Sequence, residues 1–151
     1  MDMVIKKLPN DFKEFLKLLS VEEVEYLLVG GYAVGYHGYP RATSDMDIWI
    51  AMSDRNAIKT TKVLADFGFQ APNLNKELFL RTECLVRMGT PPFRIEILTD
   101  IDGVEFDSCY KNACFVTIDQ IDVPIISLAD LKQNKLASGR HKDLDDLENL
   151  P

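Results

Sequence analysis

Cysteine and long apolar runs are both scarce in this sequence, and each shortage excludes a class of protein. The three cysteines form no Cys-x-x-Cys pair, and an odd number of them without an export signal is typical of reduced thiols in the cytoplasm. No apolar run approaches the roughly 18 residues that a membrane-spanning helix requires. No apolar segment follows Lys6-Lys7, as it would in a signal peptide. We therefore expect a cytoplasmic protein with no membrane partner.

Basic residues are also in short supply, since 17 Lys and Arg stand against 24 Asp and Glu for a net charge of −7. Broad, sequence-independent DNA binding relies on clustered Lys and Arg, so this composition argues against it. A local site for tRNA or for a protein remains compatible with it. With 151 residues, 46% of them hydrophobic, and no internal repeats, residues 1–151 are expected to form a single domain with a substantial core.

The most informative stretch is LLVGGYAVGYHGYPRATSDMDIWI, residues 27–50. Its apolar beginning predicts a buried strand that ends at the pair Gly30-Gly31, and the next residues have helical composition. Glycines between a strand and a helix let the backbone approach a ligand closely. They also leave free N–H groups at a helix N-terminus, where anions bind. The pattern therefore favours phosphate binding, although a lone Gly-Gly is more often a plain turn.

After thirteen intervening residues, a second predicted strand begins with two aspartates, Asp45 and Asp47. Alternate side chains of a strand share a face, so these two carboxylates project together while Met46 and Ile48 point into the core. Adjacent carboxylates raise each other's pKa, and a cation relieves the repulsion. Hard oxygen ligands of this kind suit Mg²⁺, which completes its shell with water and phosphate oxygens. The alternative interpretation is a solvated strand edge.

Together these residues resemble the signature of the nucleotidyltransferase superfamily of the DNA polymerase β type. The motif consists of an apolar residue with Gly-Gly or Gly-Ser, followed by an apolar-flanked Asp-x-Asp or Asp-x-Glu. The text Val29-Gly30-Gly31, with RATSDMDI at residues 41–48, is most similar to the small bacterial branch of AbiEii-type toxins and minimal nucleotidyltransferases. Gly31 stands where many members have Ser, so a hydroxyl contact to the triphosphate is missing.

The superfamily pattern also requires a third carboxylate on a neighbouring strand, and Glu96 is the candidate. It lies in an alternating Ile-Glu-Ile context in the second strand of a predicted hairpin over residues 84–98. Most relatives carry Asp there, and Glu is one methylene longer. The alternative is an exposed strand residue paired with Arg94, a contact of little energetic value at a surface. Asp100 and Asp102 are the other candidates.

The C-terminal region resembles the same branch, in which a helix bearing Lys leads into Gly-Arg and then Lys-Asp with a further Asp. Lys135, Lys142, Asp143 and Asp146 match these positions. The resemblance makes Lys135 a candidate triphosphate contact, since Lys commonly contacts phosphate as a point charge. The alternative is a solvated helix with charge pairs such as Lys142–Asp146.

The resemblance implies an α/β (α+β) fold: a mixed, strongly twisted sheet with helices packed mainly on one face. It implies transfer of a nucleoside monophosphate from an NTP to a hydroxyl acceptor, with release of pyrophosphate. Two Mg²⁺ ions, or Mn²⁺, would be the cofactors. The implied catalytic and metal-binding residues are Asp45, Asp47 and Glu96, and the implied nucleotide-binding and phosphate-binding residues are Gly30, Gly31, Arg41, Thr43, Ser44 and Lys135.

Three functions remain open at this point. The acceptor of a nucleotidyltransferase could be tRNA, another RNA, a partner protein or a small molecule. A second possibility is a nucleotide-binding or antitoxin-like module that has lost catalysis and acts through a partner protein. The third is an antibiotic nucleotidyltransferase. No acceptor pocket is recognisable in the sequence, so a partner subunit is expected to contribute one.

Overall fold

A computed structural model describes residues 8–151, and a six-stranded sheet lies at the centre of the fold. The strands are β1 (Tyr26–Val29), β2 (Asp45–Ile50), β3 (Leu85–Met88), β4 (Arg94–Leu98), β5 (Cys114–Ile118) and β6 (Ile121–Ile125). Their order across the sheet is β3-β4-β2-β1-β6-β5. β2 pairs with β1 antiparallel and with β4 parallel, and β6 joins β1 in parallel. The predicted mixed sheet of an α/β fold is therefore confirmed.

The described part of the chain has six α-helices, which pack mainly on one face of this sheet. They are α1 (Asn10–Val21), α2 (Gly30–Tyr36), α3 (Asp54–Phe67), α4 (Phe106–Lys111), α5 (Leu128–Ser138) and α6 (His141–Asn149), with a 3₁₀ helix at Lys76–Leu80. No helix between residues 8 and 151 has the length and apolar character to cross a bilayer.

The helices α3 and α5 begin and end at capping residues. The hydroxyl of Ser53 accepts a hydrogen bond from the backbone N–H of Asn56, and that of Ser127 accepts one from Asp130. Gly68 and Gly139 end the two helices in the left-handed region, at φ of 99° and 66°. Side-chain caps of this type contribute about 1 kcal/mol each, so local sequence fixes where these helices begin.

The core forms because one face of β2 is wholly apolar. Met46, Ile48 and Ile50 are completely buried, and α1 contributes Phe15 and Leu19 to the same core. Each such side chain stabilises the fold by roughly 1.5–3 kcal/mol relative to an exposed one. This burial fixes the register of β2 and turns the alternate residues to the opposite face.

The opposite face of β2 is closed at one end and polar at the other. Trp49 packs against Phe106 of α4 with the ring centroids 5.1 Å apart, and its indole N–H donates to the carbonyl of Thr99 at 3.2 Å. Asp45 and Asp47, at the start of the same strand, are only partly covered. The fold therefore places two carboxylates at the start of β2, beside the turn from β1 into α2.

Candidate functional site

The turn between β1 and α2 brings backbone very close to the β2 carboxylates. Gly30 has a φ of +66°, which side chains rarely adopt, and a Cβ there would overlap the Asp47 carboxylate. A Cβ on Gly31 would lie 2.5 Å from the Thr43 hydroxyl and 3.4 Å from Arg41 Nη1. Both glycines are therefore required sterically, and Arg41 and Thr43 lie beside Gly31.

The three candidate carboxylates lie on one face of the sheet. In the parallel pairing of β2 with β4, Asp47 is in register with Glu96 and Asp45 with Arg94. Register partners share a face, and the residues between them are core residues. The hydroxyl of Ser44 lies 3.4 Å from Asp45 Oδ1. The structure thus brings together Asp45, Asp47 and Glu96, from strands about fifty residues apart in sequence.

Asp47 is the electrostatically unusual member of this set. Burial raises the pKa of its carboxyl group to about 7, and the neighbouring Glu96 and Asp45 carboxyl groups contribute further to the rise. The positive charge of Lys142 acts in the opposite direction. Asp47 Oδ1 is buried without any hydrogen-bond partner. A buried acceptor without a donor is costly, and a cation would satisfy it.

The donor atoms fit a hard cation chemically, but they are not arranged around one in this structure. Across residues 8–151, no three His, Cys, Asp or Glu side chains converge as a formed metal site. Glu96 instead accepts from Arg87 Nε at 2.6 Å, across the β3–β4 pair. The alternative interpretation, an exposed Glu96 paired with Arg94, does not hold: among residues 8–151 Glu96 pairs with Arg87, and Arg94 Nε is buried without a partner. Glu96 also lies close enough to Asp47 to raise the pKa of that carboxyl group, so the contact with Arg87 does not separate the two carboxyl groups.

A cleft of about 350 Å³ opens directly onto Asp47 and the glycine turn. Asp100 and Asp102, the other candidates for the third carboxylate, line its wall, and Asp100 accepts from the backbone N–H of Glu83 at 2.9 Å. The opposite wall is formed by the end of α5 and the start of α6, including Lys135, Arg140 and Lys142. The cleft therefore places cations opposite carboxylates.

Lys135 lies at the centre of a buried ionic network. Its ammonium group is 3.1 Å from Asp143 Oδ1 and 3.1 Å from Asp146 Oδ2. Asp146 also accepts two hydrogen bonds from Arg41, at 2.8 and 3.0 Å. Asp143 accepts from Arg140 Nε and from the Ser138 hydroxyl. The alternative of a solvated final helix with a Lys142–Asp146 pair is wrong, because both aspartates point inward and are fully buried.

Two residues of this wall were not assigned a role from the sequence. Arg140 and Lys142 line the cleft, and Lys142 lies close enough to Asp47 to lower its pKa. Their only sequence signal is the Arg-x-Lys-Asp text at residues 140–143. This text matches the family pattern, but it does not show which way each side chain points. The burial of Asp143 and Asp146 determines which side of α6 faces the cleft, and that burial depends on tertiary packing.

The sheet order, the glycine turn after β1 and the acidic residues on β2 and β4 define a nucleotidyltransferase-like fold. Two solved structures share it. One is a candidate nucleotidyltransferase from Thermotoga maritima, at 19% identity over 91% of this chain and 88% of that one, with a TM-score of 0.61. The other is an antigenic nucleotidyltransferase-like protein from Paracoccidioides brasiliensis, at 16% identity over 91% and 75%, with a TM-score of 0.51. No family model and no curated protein matches the sequence.

Proposed function

We propose that this chain is a Mg²⁺-dependent nucleotidyltransferase that moves a nucleoside monophosphate from an NTP to a hydroxyl acceptor and releases pyrophosphate. One observation carries the proposal: Asp47 Oδ1 is buried without a partner, beside a glycine turn and in register with Glu96. An unsatisfied carboxylate oxygen beside a glycine turn that lines the cleft suits a cation that also binds phosphate. The nucleotidyltransferase-like fold supports the same conclusion.

The roles follow from the positions of the side chains. Asp45 and Asp47 would hold Mg²⁺, or Mn²⁺, and Glu96 would complete the acceptor side. When bound, the two ions supply charge stabilisation to the attacking and leaving oxygens. Glu96 would accept the proton of the acceptor hydroxyl. Gly30 and Gly31 line the cleft and would bind phosphate through the backbone. Arg41 and Thr43 lie beside Gly31, and Ser44 lies beside Asp45.

A second candidate function is a nucleotide-binding module without catalysis, such as an antitoxin-like protein acting through a partner. The ion pair between Glu96 and Arg87 favours it, because Arg87 already neutralises the charge of the third carboxylate. The text of residues 29–48 supports placement near the AbiEii-type branch of toxin–antitoxin systems. A cytoplasmic location and an acceptor supplied by tRNA, a partner protein or a small molecule belong to the same proposal.

The test of the transferase is a screen for covalent labelling. Each of the four NTPs, labelled at the α-phosphate, is incubated with Mg²⁺ and with tRNA, lysate protein, or aminoglycoside and lincosamide antibiotics. We expect wild-type protein to label one acceptor class and Asp47→Asn to label none. Nucleotide binding with no labelling of any acceptor would replace the transferase with the binding module.

A further inference from the structure

We infer that Lys142, with Arg140 beside it, is the cationic contact for the phosphate chain, and that Lys135 is a structural residue. The inference rests on the proposed function for the identity of the anion, a nucleoside triphosphate. It reverses the role that the sequence resemblance implies for Lys135. The two lysines are seven residues apart, on different helices, and line the same cleft. Their environments differ in almost every other respect.

Lys135 has its charge already neutralised. Its side chain is only 5% exposed, and its ammonium group contacts two carboxylates at 3.1 Å that are themselves buried. To reach a phosphate, Lys135 would have to leave Asp143 and Asp146 with less compensation in the interior. Uncompensated buried charge is strongly unfavourable. Lys135 therefore stabilises the ionic network and does not bind the phosphate chain.

Lys142 has the opposite properties. It lines the cleft together with Asp47, Gly30 and Gly31, and it forms no salt bridge within the described chain, residues 8–151. Lys142 and Asp47 line the same cleft, and the positive charge of Lys142 lowers the pKa of the Asp47 carboxyl group. An ammonium with uncommitted donors beside an anion site acts as a point charge for phosphate.

The start of α6 adds to the positive potential at the same wall. Arg140 is the N-cap residue and no side chain caps the helix. Arg140 and, from the first turn, Lys142 line the cleft. A helix N-terminus favours an anion. Arg140 uses Nε for Asp143, and its side chain remains 72% exposed, so its terminal nitrogens are accessible. Lys142, Arg140 and the helix terminus thus form one cationic wall facing Gly30 and Asp47.

The experiment is calorimetric titration with two probes, tripolyphosphate alone and ATP with Mg²⁺. Lys142→Met is expected to weaken binding of both probes by at least about tenfold. Lys142→Arg should keep most of the affinity because it keeps the charge. Lys111→Met is the matched control, since Lys111 is an exposed lysine on α4 away from the cleft, and it should titrate as wild type does.

The outcomes separate this inference from the proposed function. Tripolyphosphate binding that depends on Lys142, in a protein that transfers no label, would support the inference and remove the transferase. Equal titration curves for Lys142→Met and wild type would overturn the inference, as would a wild-type protein that binds neither probe. A Lys135→Met protein that melts as wild type does but loses tripolyphosphate affinity would also overturn it.

Discussion

Asp47 carries a carboxyl group whose burial is unfavourable for the fold but suits the proposed binding of a cation. The register of β2 directs its carboxylate toward the glycine turn, where Oδ1 finds no donor and burial raises the pKa to about 7. The apolar alternation of Met46, Ile48 and Ile50 enforces that register. Core formation therefore stabilises a strand whose outer face carries an unfavourable carboxylate, as is common where a site must bind a cation.

The first prediction concerns Asp47→Asn in the absence of divalent cations. Because the folded-state pKa is raised, the contribution of Asp47 to stability is greatest below about pH 4 and is lost as the pH rises through about 7. Asn cannot ionise, so its stability lacks this pH dependence. The free energy of unfolding of the variant, relative to that of wild type, should therefore rise by at least about 1 kcal/mol between pH 5 and pH 8. Thermal melts at the two pH values measure this change.

The control for this prediction is Glu148→Gln, which makes the same carboxylate-to-amide change on an exposed residue of α6. The difference in stability between Glu148→Gln and wild type should be nearly the same at both pH values. If Asp47→Asn also shows a constant difference, Asp47 is not the strained carboxylate that the structure indicates.

At the scale of elements, α6 is attached to the rest of the fold by charge more than by apolar contact. Asp143 and Asp146 are its most buried residues, and they meet Lys135 from α5 and Arg41 from the segment before β2. Burial alone would raise the pKa of Asp143, but hydrogen bonds from Arg140, Ser138 and Lys135 outweigh it and hold that pKa well below its ordinary range. The pKa of Asp146 is lowered in the same way by Arg41 and Lys135.

The second prediction is that Lys135→Met destabilises the protein by roughly 3 kcal/mol at neutral pH, because it removes the shared partner of two buried carboxylates. Lowered folded-state pKa values mean that the network stabilises above about pH 4 and loses its effect as the pH falls below that. The difference from wild type should shrink accordingly in acid. Urea unfolding between pH 3 and pH 7 gives the comparison, with Lys111→Met as the control.

The third prediction separates binding from transfer at β4. Glu96→Gln should leave Mg²⁺–NTP affinity nearly intact, since in the proposed site Asp45 and Asp47 would hold the ion that also takes phosphate oxygens as ligands. Transfer should fall by about 10²–10⁴ if Glu96 accepts the proton. Glu96→Asp should keep part of the activity. Unchanged transfer in Glu96→Gln would remove Glu96 from the site and bring Asp100 or Asp102 forward, as both line the cleft.

The sequence predicts those parts of the site that are local. The strands around Asp45 and Glu96 are predictable from alternation, and the ends of α3 and α5 from Ser caps and left-handed glycines. The ionic network is not predictable in this way, because Arg41 and Asp146 are 105 residues apart and meet only through tertiary packing. Periodicity shows that Lys135 and Lys142 lie on helices, but not that one is buried and the other faces the cleft.

At the scale of the whole molecule, charge is distributed unevenly. The chain carries a net charge of −7, yet one wall of the cleft presents Arg140 and Lys142 beside the glycine turn. An acidic surface disfavours polyanions in general, whereas a local cationic wall attracts a small anion to one place. The distribution therefore suits a nucleotide ligand better than a long nucleic acid bound along the surface.

The central claim, that this fold transfers nucleotides through Asp45, Asp47 and Glu96, is tested most directly by comparing labels at two positions of the same NTP. With the accepted NTP and acceptor, we predict that label from the α-phosphate becomes covalently attached and label from the γ-phosphate is released in pyrophosphate. Both signals should disappear in Asp47→Asn. Attachment of the γ-label, release of single phosphate, or full activity in Asp47→Asn would contradict the account.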